Sequence, residues 1–326
     1  EIPLGAATVN AGTTSFSSAC YGTLRELSSL PPLGASEVGS ADLDSTAAVS
    51  DAGATSVGIT GLLDVSGTEI TLGSGTFNAG SLTFNSVGSV NIVEDSAMLV
   101  SGPSSAGSGL DLVAADDVTL DSTVTVVGDV SIIAGTTTGG IDVNAKLNGS
   151  GAILLDAADE ITIDAAIDPT TVTLTADDDI TVNAAVVATD LITVSAGEDG
   201  SGGFTLTLSG SLTTTGAGSD VTVSTGSGSG DLSLAGTTTA LDQVLMTSSV
   251  GSINGSGLVT GNTVALTAAI GIGNATGIEL SASNISADTT SGDHVVHSVQ
   301  SWSIQHQGPR YYTRHMLCVP ARQIPD

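Results

Sequence analysis

The sequence predicts an all-β fold, a parallel β-solenoid with coils of about 22 residues. Three observations lead there: a short phrase recurs along the chain, each copy alternates aliphatic with polar residues, and no segment sustains a helical period. Without helices to make crossovers, doubly wound and barrel α/β folds are disfavoured. A β-sandwich competes, but it does not require the same residue type at the same phase of successive repeats.

The phrase is clearest in Asp117-Val-Thr-Leu-Asp-Ser-Thr-Val124, Gly140-Ile-Asp-Val-Asn-Ala-Lys-Leu147, Glu160-Ile-Thr-Ile-Asp-Ala-Ala-Ile167 and Asp179-Ile-Thr-Val-Asn-Ala-Ala-Val186. Weaker copies start at Glu69, Ser89, Thr205, Asp231, Ser252 and Gly271, and the intervals run from 19 residues (Glu160 to Asp179) to 28 (Ser89 to Asp117). Val118, Ile141, Ile161, Ile180, Leu206, Leu232 and Ile253 form one aliphatic column, and Leu120, Val143, Ile163, Val182, Leu208 and Leu234 form a second. Thr119, Asp142, Thr162, Thr181, Thr207, Ser233 and Asn254 lie between them. Period two with β-branched residues inside and Thr outside is a half-buried strand. A second alternating run follows each copy, as at Val172-Thr-Leu-Thr175, so each coil holds at least two strands separated by Gly, Asn, Asp and Ser turns. Ten coils stacked about 4.8 Å apart make a rod roughly 45–50 Å long.

The regular region spans residues 46–293. Residues 1–45 are an irregular flank or partial cap, because Phe16, Cys20, Tyr21, Arg25 and Pro31-Pro32 interrupt the period. Residues 294–326 differ in composition: they hold all four His, the only Trp (Trp302), three of the five bases and one acid. Two readings of this tail stay open, a docking or capping segment and a non-native or disordered end such as a frameshift leaves. The chain begins at Glu1 and shows no charged segment followed by an apolar run, and it is expected to be a piece of a longer reading frame.

Charge narrows the functional classes. The chain of 326 residues carries 34 Asp plus Glu against 5 Lys plus Arg, a net charge of -29. A polyanion repels phosphate, so nucleic acid and anionic membrane surfaces are excluded as partners. No apolar run of 18 residues is present to span a bilayer. Yet 40% of residues are hydrophobic and the mean hydropathy is +0.35, which is enough apolar material to order a chain. Only 2% are aromatic, as expected of a narrow core filled by Val, Ile, Leu and Ala.

Asp116-Asp117, Asp159-Glu160 and Asp177-Asp178-Asp179 fall at one phase, just before a strand. Two carboxylates about 4.8 Å apart repel by roughly 0.9 kcal/mol at the dielectric of water and about 3.5 at an effective value of 20. Such an array is tolerable when wet, and it then serves as a solubilising edge that blocks sideways strand pairing. The sharper reading places Ca²⁺ on Asp159, Glu160, Asp177, Asp178 and Asp179, whose hard oxygens from adjacent coils would offset the repulsion. No other cofactor is expected. A further column, Asp121, Asn144, Asp164, Asn183, alternates acid with amide and reads as a hydrogen-bonded ladder.

Catalytic constellations are missing. The regular region has one Lys and no Trp or Tyr with which to position acidic sugars, and its carboxylates are too many for any pair to stand out as a glycosidase dyad. No phosphate-binding loop or nucleophile–His–acid arrangement emerges, so the chain is expected not to be an enzyme.

The segments Leu174-Thr-Ala-Asp-Asp-Asp-Ile-Thr-Val-Asn-Ala-Ala-Val186, Asn262-Thr-Val-Ala-Leu-Thr-Ala-Ala-Ile-Gly-Ile-Gly-Asn274 and Gly277-Ile-Glu-Leu-Ser-Ala-Ser-Asn-Ile-Ser-Ala-Asp288 resemble the β-strand repeats of large bacterial exoproteins related to filamentous haemagglutinin. The resemblance covers roughly residues 60–293. It implies a right-handed parallel β-helix, a secreted or cell-surface rod segment, and partners among host or neighbouring-cell glycans and proteins or further copies in a matrix. The secretion domain of that family is not recognisable in this sequence. A carbohydrate-active β-helix, a polysaccharide lyase or glycoside hydrolase, is the alternative.

Overall fold

The computed structural model describes residues 2–3, 17–26, 33–292 without 52, 54, 201–204 and 229, and 295–298. Among them are 34 strands and no helix, and the strands pair in parallel. The chain winds as a parallel β-solenoid of about 13 turns, each of roughly 20 residues.

One coil shows the construction. Ile161–Ile163 forms a first face, Ile167–Asp168 a second and Thr171–Ala176 a third. Ile161, Ile163, Ile167, Val172, Leu174 and Ala176 turn inward and are fully buried. Each large aliphatic contributes about 1.5–3 kcal/mol of gross burial, so stacking coils rather than any single strand supplies the core. Both aliphatic columns read from the sequence are stacks of registered partners, Val118 on Ile141 on Ile161 on Ile180 on Leu206 on Leu232 on Ile253. The second face is read in the eighth residue of the phrase: Val124, Leu147, Ile167 and Val186 stack as one buried column.

Two expected copies belong elsewhere. Ile70 and Val90, in the copies starting at Glu69 and Ser89, stack with Leu110 and Val130 on the third face, whereas Val118 sits on Met98. The strand Met98–Val100 carries Leu99 where the phrase has Thr or Asp, so it shows no alternation, and skipping it produced the 28-residue interval and the longer average coil. Real variation in coil length comes from corner insertions. The offset between stacked partners runs from 18 residues (Leu82 and Val100) to 29 (Ile192 and Val221).

Stacking also reaches into the segments set apart at the ends. Ser17–Glu26 pairs with Ser36–Ser45, which pairs with Ser56–Gly67. At the other end Val296–Ser298 pairs with Ile278–Leu280. The remainder of the compositionally distinct tail, including His294 and residues 299–326, lies outside the described residues.

Candidate functional site at the acidic coil edges

The position immediately before a strand recurs with an Asp, and the geometry shows what it does. On the first face Asp117 accepts a hydrogen bond from the Gly140 N–H of the next coil at 2.9 Å, Asp231 accepts from Ser252 N–H at 2.7 Å, and Asp179 accepts from Thr205 N–H. On the third face Asp129 accepts from Ala152 N–H at 2.8 Å and Asp220 from Gln243 N–H at 2.9 Å. In all five the donor is the registered residue one coil on, where the ladder begins and no backbone carbonyl is placed to receive that N–H. A carboxylate there makes a charge-assisted bond, stronger than a neutral one. The acid–amide ladder follows the same logic on exposed positions: Asn144 Nδ2 donates to Asp121 at 2.9 Å and Asn183 Nδ2 to Asp164 at 2.8 Å.

The five residues proposed for Ca²⁺ are brought to one edge but not around one point. Register stacks Glu160 with Asp179 and Asp159 with Asp178, since Ile161 pairs with Ile180. Asp178 lies within hydrogen-bonding reach of the Asp159 carboxylate, and partial burial followed by the charges of Asp159 and Asp199 raises its pKa. Asp177 is raised by partial burial and then by Asp199, Asp156 and Glu198, a set that shares only Asp199 with the neighbours of Asp178. Partial burial raises Glu160 as well, with Asp159, Asp142 and Asp179 adding to it. Asp117 does not stack on Glu160, because Gly140 intervenes. Among the described residues no three His, Cys, Asp or Glu side chains converge as a metal site requires. What the edge offers is a row of carboxylates in which Asp179 is engaged by the Thr205 N–H of the next coil.

A second feature escaped the sequence. A concavity of about 560 Å³ crosses five coils of the third face and is lined by Glu69, Asn91, Asp111, Asp129, Ser131 and Leu154 among others. Glu69 and Asp129 hold the position before the third-face strand with Ser89 and Gly109 between them, and Asp111 stands at an outward position, so non-acids interrupt the row. Beside it Val93, Val113 and Ile133 stack as an outward apolar column.

No family model matches this chain, and no curated protein or solved structure does so either.

Proposed function

We propose that this chain is a segment of a non-catalytic rod, extracellular or displayed on a bacterial surface, that serves as an adhesin shaft or matrix element in the manner of filamentous-haemagglutinin-like exoproteins. The observation that carries this reading is that the outward positions form columns of one chemistry rather than a local cluster. Thr162, Thr181, Thr207 and Ser233 stack on the first face, and Thr173, Thr193 and Thr222 on the third. A shaft needs length, solubility and resistance to lateral strand pairing. An acidic, hydroxyl-rich exterior on a closed stack supplies the last two. Partners are then glycans or proteins of a host or neighbouring cell, or further copies. Beads coated with the purified chain should adhere to such cells or to one another above uncoated beads, and antibody to the chain should label intact source cells. Absence of both would overturn the reading.

The third-face groove favours one second reading, a carbohydrate-active β-helix, since Glu69, Asp111 and Asp129 border a concavity that an extended chain could follow. Release of reducing ends or unsaturated sugars from a polysaccharide panel, abolished by Asp111→Asn, would replace the first reading with this one.

A further inference from the structure

The third inward position of the third face is Ala114, Ala134, Ala157, Ala176 and Ala196 in successive coils, and in the coil before them it is Glu94. Glu94 is 1% exposed. Its Oε1 accepts the Ala79 N–H at 2.7 Å and a long bond from the Ser96 hydroxyl at 3.4 Å, while Oε2 has no partner. An acid in an alanine column demands a local reason, and the register provides one.

Leu72 stacks on Ile92 and Leu82 on Val100, so the chain covers in eight residues, Ile92 to Val100, what the preceding coil covers in ten, Leu72 to Leu82. The shortcut leaves the beginning of the strand Thr76–Ser86 without a strand above it. Its first N–H, at Thr76, is directed to the previous coil, where it donates to Thr55. By alternation the N–H groups of Phe77 and Ala79 are directed to the following coil, where two residues are lacking. The carboxylates of Asp95 and Glu94 take the place of the absent carbonyls, Asp95 accepting from Phe77 N–H at 2.8 Å and Glu94 from Ala79 N–H. Asp95 N–H in turn donates to the Phe77 carbonyl.

We propose that Glu94 is a proton-operated latch at the junction where the coil shortens, holding residues 76–79 against the coil above when neutral and releasing them when ionised. Burial pushes its carboxyl up to about 7; the Ala79 N–H and Ser96 oppose the rise, and the charge of Asp95 adds to it. The groups that face the junction are all acids: Asp95 in the same turn, Asp51 from the corner below, held by the Gly73 and Ser74 N–H groups, and Asp116 and Asp117 in the turn above. Residues 51–145 contain no Lys, Arg or His to neutralise an ionised Glu94. Opening lets water reach the carboxylate, and Gly73 marks how closely the coils approach when the junction is closed. Its φ is +99°, and an added Cβ would lie 2.2 Å from the Val93 carbonyl, so the closed junction tolerates no side chain there.

Amide hydrogen exchange, corrected for the intrinsic rate, tests this on the intact chain. With an ordinary Glu pKa in the open state, the opening equilibrium at Phe77 and Ala79 should rise on the order of 50- to 100-fold between pH 5 and pH 8. Val223 and Met246, several coils away and beside no acid whose pKa is raised, should rise far less. Glu94→Gln keeps an acceptor for Ala79 and cannot ionise, so protection at Ala79 should become independent of pH. Equal pH dependence at all four amides in the native chain, or unchanged dependence at Ala79 in Glu94→Gln, would overturn the proposal. The four-amide comparison needs no variant and decides the matter if Glu94→Gln fails to fold.

Discussion

Two acids on this rod are predicted to respond in opposite directions when their charge is removed. Asp178→Asn should stabilise. Its backbone is one coil, about 4.8 Å, from that of Asp159 and its carboxyl is within hydrogen-bonding reach of the Asp159 carboxyl, so the repulsion between the two charges is no smaller than the roughly 0.9 kcal/mol that 4.8 Å gives in a watery environment, and neighbouring Asp199 and Asp179 add to the cost. The amide removes that repulsion and supplies a donor to Asp159. Asp129→Ala should destabilise, because Asp129 is the acceptor of the Ala152 N–H at 2.8 Å and no carbonyl replaces it. Losing a charge-assisted bond at an exposed corner costs about 1 kcal/mol, more than the few tenths gained from lowering the charge of a chain at -29.

Thermal melts at 20 mM and 1 M NaCl separate the two causes. For a chain of 326 residues about 1 kcal/mol corresponds to roughly 1.5 °C. Asp178→Asn should raise Tm by about 1–3 °C at low salt and lose that advantage at 1 M, where the screening length is about 3 Å. Asp129→Ala should lower Tm by a similar amount at both salts. A drop in Tm for Asp178→Asn, or a gain that persists at high salt, would mean that these acids are not repelling across coils and that the reasoning from stacking is wrong.

Other outcomes follow from the same geometry. Every resolved pKa shift is upward, at Asp64, Glu94, Asp142, Glu160, Asp177 and Asp178, so the folded chain binds protons more tightly than the unfolded one. Stability is then fullest below the ordinary carboxylate pKa and falls as pH rises through the shifted values. Glu94 alone accounts for on the order of 2–3 kcal/mol between pH 4.5 and 8, and scanning calorimetry at constant ionic strength should find the higher Tm near pH 5. Leu174→Ala should cost about 2–5 kcal/mol, while Thr173→Ala, one residue away on the outer face, should stay within about 0.5 in urea titrations. Asn183→Asp turns a 2.8 Å donor–acceptor contact with Asp164 into two facing carboxylates, and should lower Tm at low salt more than Asn183→Ala does. Titration of Ca²⁺ should give only the screening response that Mg²⁺ gives at equal ionic strength; a saturable, stoichiometric Ca²⁺ heat would show that the acidic row rearranges into a chelating site.

The strand columns were legible because a solenoid repeats its environment: a position that is inward at Val118 is inward again at Ile141 and Ile161, and period two reports it each time. The acid–amide pairs were legible for the same reason. Legibility failed where the repeat itself changes. Met98 carries the first-face column where the preceding coils run in long strands through two faces, so the Glu69 and Ser89 copies were assigned to the wrong face. The function of the acids before each strand was hidden as well, because a carboxylate that receives an N–H from the next coil and one that waits for a cation have the same sequence. Glu94 could have been found. In Val90-Asn-Ile-Val-Glu94 it holds the inward phase after Val90 and Ile92, and an acid in that phase is the signal of a local departure from the repeat.

A fixed spacing of about 4.8 Å between like positions selects side chains by how they meet their own kind. Aliphatic groups meet at van der Waals distance, Thr and Ser hydroxyls can donate and accept along a row, as Ser195 and Ser224 do at 2.9 Å, and Asn beside Asp pairs a donor with an acceptor. A narrow core leaves little room for rings, in keeping with an aromatic content of 2%, and a carboxylate on a carboxylate survives only in water or when an N–H is offered. The acids of this chain therefore divide by partner rather than by exposure. Asp117, Asp129, Asp220 and Asp231 stabilise the stack through backbone donors, Asp159 and Asp178 burden it, and Glu94 does either according to its proton. Substituting each class with its amide sorts them in one experiment: the first should change stability little where the amide oxygen keeps the bond, the second should gain, and the third should lose its dependence on pH.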